Sequence, residues 1–94
     1  MRGAELYRRI AERQASQPRY EYEVGTHRFT VDGKNYYRVQ VNEYKYIRDM
    51  LQYRKCIHAD DYQLTDVYDT RAKVVAKAKM DAGLWRVKTK VYAY

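Results

Sequence analysis

Cys56, His58, Asp60 and Asp61 place a thiol, an imidazole and two carboxylates within six residues, the densest set of chemically capable side chains in this sequence. Such groups serve as a nucleophile and its base, or as metal ligands. Ligands so close in sequence meet at a metal only where a loop curls tightly, and zinc sites gather pairs from separate elements. A two-metal nuclease needs acids from several strands, and no other acids here keep suitable company. The set therefore reads as a solvated loop leading into a helix whose first turn favours acids. There is no GxxxxGK[ST] phosphate loop, no GxGxxG, no GxSxG and no HExxH, and the two histidines, His27 and His58, fall in different elements. The sequence predicts a non-enzyme, with no metal and no cofactor. Cys56 is the lone cysteine, which excludes an intrachain disulfide and a four-cysteine zinc site. Its thiol is expected to pack as a small apolar group in a reducing compartment.

A second pattern concerns charge and rings. The net charge is +7, and twelve of 94 residues are tyrosine against one Phe and one Trp. Tyrosine offers a stiff, flat, amphipathic face at low entropic cost, which suits interfaces, and it is also a good strand former. The charge is uneven: residues 1–19 carry +3, 20–42 zero, 43–58 +2, 59–70 −4 and 71–94 +6. Within the last stretch, Arg86, Lys88, Lys90, Tyr92 and Tyr94 alternate along one side of a strand, and Arg71, Lys73 and Lys77 lie on the preceding helix. Bases continued by rings on one β surface match what single-stranded nucleic acid needs, since cations neutralise phosphates and rings stack on bases. Tyr36 and Arg38 extend that surface if their strand is a neighbour. Lysines on an edge strand also discourage edge-to-edge aggregation.

The elements that would position these residues follow from periodicity. Residues 4–16 read as an amphipathic helix, with Leu6, Tyr7, Ile10 and Ala11 on one face, ended by Pro18. Three short strands follow at 19–24, 27–32 and 35–41, the first two joined by a turn at Gly25-Thr26 and the last two by the hairpin signal Asp32-Gly33. Asn42 caps a predicted second helix to Lys55, with Tyr44, Ile47, Met50 and Leu51 inward; residues 56–65 lack periodicity. A third helix is expected over 66–82, with Tyr68, Ala72, Val75, Ala76 and Met80 as its buried stripe and Gly83 as its C-terminal stop. The last strand is placed at 84–94. The expected fold is a single α+β domain over residues 1–94, in α-β-β-β-α-α-β order, with an antiparallel four-stranded sheet and the helices packed on one face.

The order helix, three strands, helix over residues 4–55 resembles the double-stranded RNA-binding domain. That family carries a lysine-rich start to the helix after the third strand, where this sequence has Asn42-Glu43-Tyr44-Lys45. The same meander is similar to the DNA-reading sheet of integrase-type domains, for which Arg28, Thr30, Tyr36, Arg38 and Gln40 would point outward. The sequence is assigned to neither family. In size and composition it also resembles small phage-encoded inhibitors, including anti-CRISPR proteins and host-polymerase inhibitors. Two functions are therefore expected: a basic protein that contacts DNA or RNA, or an inhibitor that covers an acidic surface of a nucleic-acid-handling complex. No run approaches the length of a membrane span, so no membrane partner is expected and the cytoplasm of a cell or infected host is the expected compartment. A homodimer through an exposed strand is open.

Overall fold

The computed structural model describes residues 4, 6–9, 13 and 17–94. Four strands and one helix follow residue 18: β1 (Arg19–Val31), β2 (Lys34–Ile47), β3 (Met50–Gln63), α1 (Arg71–Asp81) and β4 (Lys90–Ala93). The sheet order is β3-β2-β1-β4. β1 pairs antiparallel with β2, and β2 with β3, whereas β4 joins β1 in parallel. The fold is α+β, but the sheet is mixed rather than fully antiparallel. Of the expected N-terminal helix, residues 4, 6–9 and 13 are helical and exposed, and the remainder lies outside the described residues.

Two of the sequence signals position the whole molecule. Asp32 and Gly33 take φ of 51° and 75°, and this tight turn folds β1 onto β2 with Val24 opposite Val41 and Thr26 opposite Val39. The second signal is at the end of α1. Gly83 at φ 77° lets its own N–H reach the Met80 carbonyl while the Leu84 N–H reaches that of Lys79, at 3.0 and 2.7 Å. That pair of bonds is a Schellman stop, and it sets Leu84 down in the core. At the other end Thr70 caps the helix by accepting from the Lys73 N–H, so Asp66 and Asp69 precede α1 instead of filling its first turn.

Residues 42–55 are not a helix. They complete β2, turn at Arg48-Asp49 and begin β3. With them falls the resemblance to the double-stranded RNA-binding domain, which requires a helix there. The turn was invisible because Arg48 and Asp49 sit at φ 52° and 62° without glycine or asparagine. Each costs roughly 1 kcal/mol in that region. Replacing Arg48 by Asn together with Asp49 by Gly is therefore expected to raise stability by about 1–2 kcal/mol, read as a higher urea midpoint at unchanged slope. Residues 56–63, expected as a loop, are the second half of β3. Gly25-Thr26, expected as a turn, lies inside one unbroken β1.

α1 covers part of one sheet face. The core is Val24, Val39 and Val41 from the sheet with Val74, Val75, Ala78 and Leu84 from the helical side. The helix stripe is thus rotated from the expected one, because Ala72, Ala76 and Met80 are exposed, as is Tyr68. A polar chain pins the helix to β3: His58 Nε2 donates to Tyr62 Oη at 2.8 Å, and that hydroxyl donates to Asp81 Oδ2 at 2.7 Å. Lys77 Nζ closes the chain on Asp81 Oδ1 at 2.9 Å. Fourteen-residue strands run roughly 45 Å, and an eleven-residue helix only about 16 Å. Much of that face, and all of the opposite one, is left to other uses. Among the described residues, no helix is long and apolar enough to cross a membrane.

Candidate nucleic-acid interface on the open sheet face

The face opposite α1 is built by alternation. β1 contributes Arg19, Glu21, Glu23, Gly25, His27 and Phe29, and their register partners on β2 are Tyr46, Tyr44, Asn42, Gln40, Arg38 and Tyr36. β3 adds Arg54 and Asp61, and β4 adds Tyr92 beside Gly25. Gly25 is the gap that lets β4 reach across. A Cβ there would stand 2.9 Å from the Tyr92 ring and 3.0 Å from that of Tyr94, so both tyrosines fold over β1 onto the open face. Tyr94 stacks on His27 with centroids 5.6 Å apart, and His27 Nδ1–H donates to the Tyr94 backbone oxygen at 2.7 Å. Phe29 and Tyr36 stack at 5.3 Å and 11°. Arg38 lies over Phe29 and forks onto Asp61 through Nε and a terminal nitrogen, at 2.9 and 3.2 Å. That carboxylate holds the Arg38 guanidinium above its ordinary pKa.

The other half of the face centres on Glu23. Tyr44 Oη donates to it at 2.6 Å and Asn42 Nδ2 at 3.2 Å, while Arg54 stands 3.6 Å away. The hydrogen bond to Glu23, then burial, pushes Tyr44 up. Arg54 lies over Tyr44 and Arg19 over Tyr46, so rings and guanidinium planes alternate. A shallow cavity of about 140 Å³ opens here between Glu21, Glu23, Tyr44, Tyr46 and Lys90.

Five of the residues expected at a binding surface share this face: Tyr36, Arg38, Lys90, Tyr92 and Tyr94. The other five lie outside the strands of the sheet. Arg71, Lys73 and Lys77 ride on α1 beyond the opposite face, and two of them are engaged, Lys73 with Asp69 at 2.8 Å and Lys77 with Asp81. Arg86 and Lys88 lie in the turns before β4, which spans only Lys90–Ala93, and Arg86 packs over Trp85 at 4.1 Å. Tyr44, Tyr46 and Arg54, which the sequence did not place here, complete the surface with Glu23. The first three were hidden by the misread helix. The acids are the larger surprise, since Glu21, Glu23 and Asp61 offset three of the four bases on the face. The Cys56 cluster does not converge: Cys56 and Asp61 share the open face, while His58 and Asp60 lie on the other. Among the described residues no three potential metal ligands come together. Cys56 is exposed, contrary to the expected buried thiol.

On the helix side, past the end of α1, Glu43 accepts from Tyr53 Oη at 2.6 Å and Tyr22 Oη at 2.8 Å. The Tyr53 bond leads in holding the Glu43 carboxyl below its ordinary 4.5, against the opposing pull of burial. In return Tyr53 is pushed up to about 12 by this bond, and Tyr22 to about 12 by burial and then by Glu43. Unfolded tyrosines ionise near 10.0, so the stability these two contribute is complete below that pH and lost as pH rises through 12. Glu43 contributes stability above 4.5 that is lost as pH falls. Glu43→Gln is expected to flatten both limbs, measured as thermal midpoints at about pH 3, 7 and 11.

No protein-family model, curated protein or solved structure matches this chain.

Proposed function

We propose that this chain is a non-enzymatic binding protein whose open sheet face takes single-stranded nucleic acid. The observation that carries the reading is the mixed row of half-exposed rings and guanidinium planes on a flat sheet: Phe29, Tyr36, Tyr44, Tyr46, Tyr92 and Tyr94 between Arg19, Arg38 and Arg54. Unpaired bases can stack on such planes, whereas the stacked pairs of a duplex cannot reach them. Because acids offset most of the bases on this face, stacking supplies most of the affinity and the salt dependence is mild. Fluorescence anisotropy with labelled single-stranded and duplex oligonucleotides, at about 50 and 200 mM salt, tests this. The expected result is a preference for single strands that survives the higher salt. Equal, weak binding to every form that vanishes at the higher salt would refute it.

A second reading is supported by a different surface. On the helix side, Ala72, Val75, Ala76, Met80, Trp85 and Val91 line a groove of about 470 Å³, with Met80 62% and Trp85 61% exposed. Nucleic acid has no use for an apolar patch of this kind, but a protein partner does. An inhibitor acting by surface occlusion on a nucleic-acid-handling complex would engage this groove and leave the open face free.

A further inference from the structure

β3 is a sheet edge fourteen residues long, with no strand on its outer side among the described residues. Such an edge is a template for another strand, and its sequence indicates which one fits. Read outward from the midpoint between Ile57 and His58, the strand is complementary to itself: Cys56 meets Ala59, Lys55 meets Asp60, Arg54 meets Asp61 and Tyr53 meets Tyr62. In a two-fold antiparallel pair, each base–acid couple forms twice.

Facing decides whether these couples can form. In a regular strand, two residues whose numbers sum to an odd value point to opposite faces, so this register would set every base on the wrong side of its acid. The bulge in β3 removes that obstacle. Val41 pairs with His58 and Asn42 with Cys56, which leaves Ile57 as the extra residue at the centre of the palindrome. Tyr53 and Lys55 therefore share the helix-side face with Asp60 and Tyr62, while Arg54 and Cys56 share the open face with Ala59 and Asp61. Every opposed couple lies on one side.

The charges of the Lys55–Asp60 couple are available, whereas Asp61 is already held by Arg38, so the Arg54–Asp61 couple adds a third member to that pair. Lys55 stands 3.6 Å from Glu43 and Arg54 3.6 Å from Glu23, both loose within the chain. Asp60 has no ion pair among the described residues and accepts only the Asp61 N–H. Of the described elements, α1 does not obstruct the pairing, since it is pinned beside Tyr62 and the two-fold axis sets that end against the Tyr53 end of the second copy.

We propose that β3 is a dimerisation edge, on which two copies pair antiparallel about Ile57 and His58 into one continuous eight-stranded sheet. This is independent of what the open face binds. Sedimentation velocity of the wild type, Lys55→Glu, Asp60→Lys and an equimolar mixture of the two variants tests it. The wild type should dimerise. Each variant alone sets like charges against each other and should dimerise about tenfold more weakly. The mixture restores opposite charges at both positions and should recover the dimer. Ala59→Cys gives an independent readout, because it opposes the native Cys56 of the second copy at disulfide distance. That variant should form a covalent dimer on mild oxidation, whereas the wild type should not, its two thiols being offset by roughly 7 Å along the strands in addition to the gap between them. A wild type that stays monomeric at its solubility limit overturns the proposal, as does a dimer that the charge variants and their mixture leave unchanged.

Discussion

Truncating Val41 to Ala is expected to cost about 2–3 kcal/mol, while the same change at Val31 costs less than about 0.5 kcal/mol. Both are strand valines, and the difference is what surrounds them. Val41 is fully buried, one of seven buried apolar side chains in the core among the described residues, whereas Val31 is 48% exposed at the end of β1. The loss at Val41 combines the transfer of two methyl groups with the cavity they leave. A domain of this size has roughly 5–14 kcal/mol in total, so this single truncation takes a large share. Urea midpoints of the two variants check the contrast. Equal losses would mean that α1 does not cover the centre of the sheet.

The second large effect concerns binding. Replacing Tyr92 and Tyr94 by Ala is expected to weaken binding of a single-stranded oligonucleotide by at least about 30-fold, on the basis of about 1–3 kcal/mol for each of two stacked bases. The slope of log affinity against log salt should stay unchanged, because no cation is removed. Lys90→Ala should do the converse, lowering the slope by about one phosphate's worth with a modest loss of affinity. Lys73→Ala with Lys77→Ala should alter neither, since those lysines are paired with Asp69 and Asp81 on the far side of the sheet. Gly25→Val probes the same surface without removing a ring. Its side chain would collide with both tyrosines and should weaken binding while the strand persists.

The parts of the fold legible in the sequence were those with a local signature. Asp32-Gly33 announced its hairpin, the valine alternation at 39 and 41 gave the buried face of β2, and Gly83 gave the end of α1. The misread parts each have a physical cause. Asn42 resembles a cap, and Tyr44, Ile47, Met50 and Leu51 fall at helical spacing, while the turn that divides them uses Arg48 and Asp49 in a backbone region other residues usually occupy. β3 showed no period because its bulges at Gln52 and Ile57, opposite Lys45/Tyr46 and Val41/Asn42 of β2, shift the alternation partway along. Gly25 read as a turn because the crowding that requires it comes from Tyr92 and Tyr94, nearly seventy residues away. Alternation put Lys90, Tyr92 and Tyr94 on one face of the last strand, and the register sets Tyr36 and Arg38 on that same face. Alternation also put Glu21 and Glu23 outward with Arg19, whereas Asp61, read as part of a loop, joins that face only through the register of β3 on β2.

We propose that the ligand sits on the open sheet face, and not on the basic helix or in the apolar groove. Amide chemical-shift mapping during titration with a short single-stranded oligonucleotide tests it most directly. The account predicts that the largest shifts fall on Gly25, His27, Arg38, Tyr44 and Tyr92, across β1, β2 and β4 on one face. Shifts confined to Arg71, Lys73 and Lys77, or to Met80, Trp85 and Val91, would contradict it.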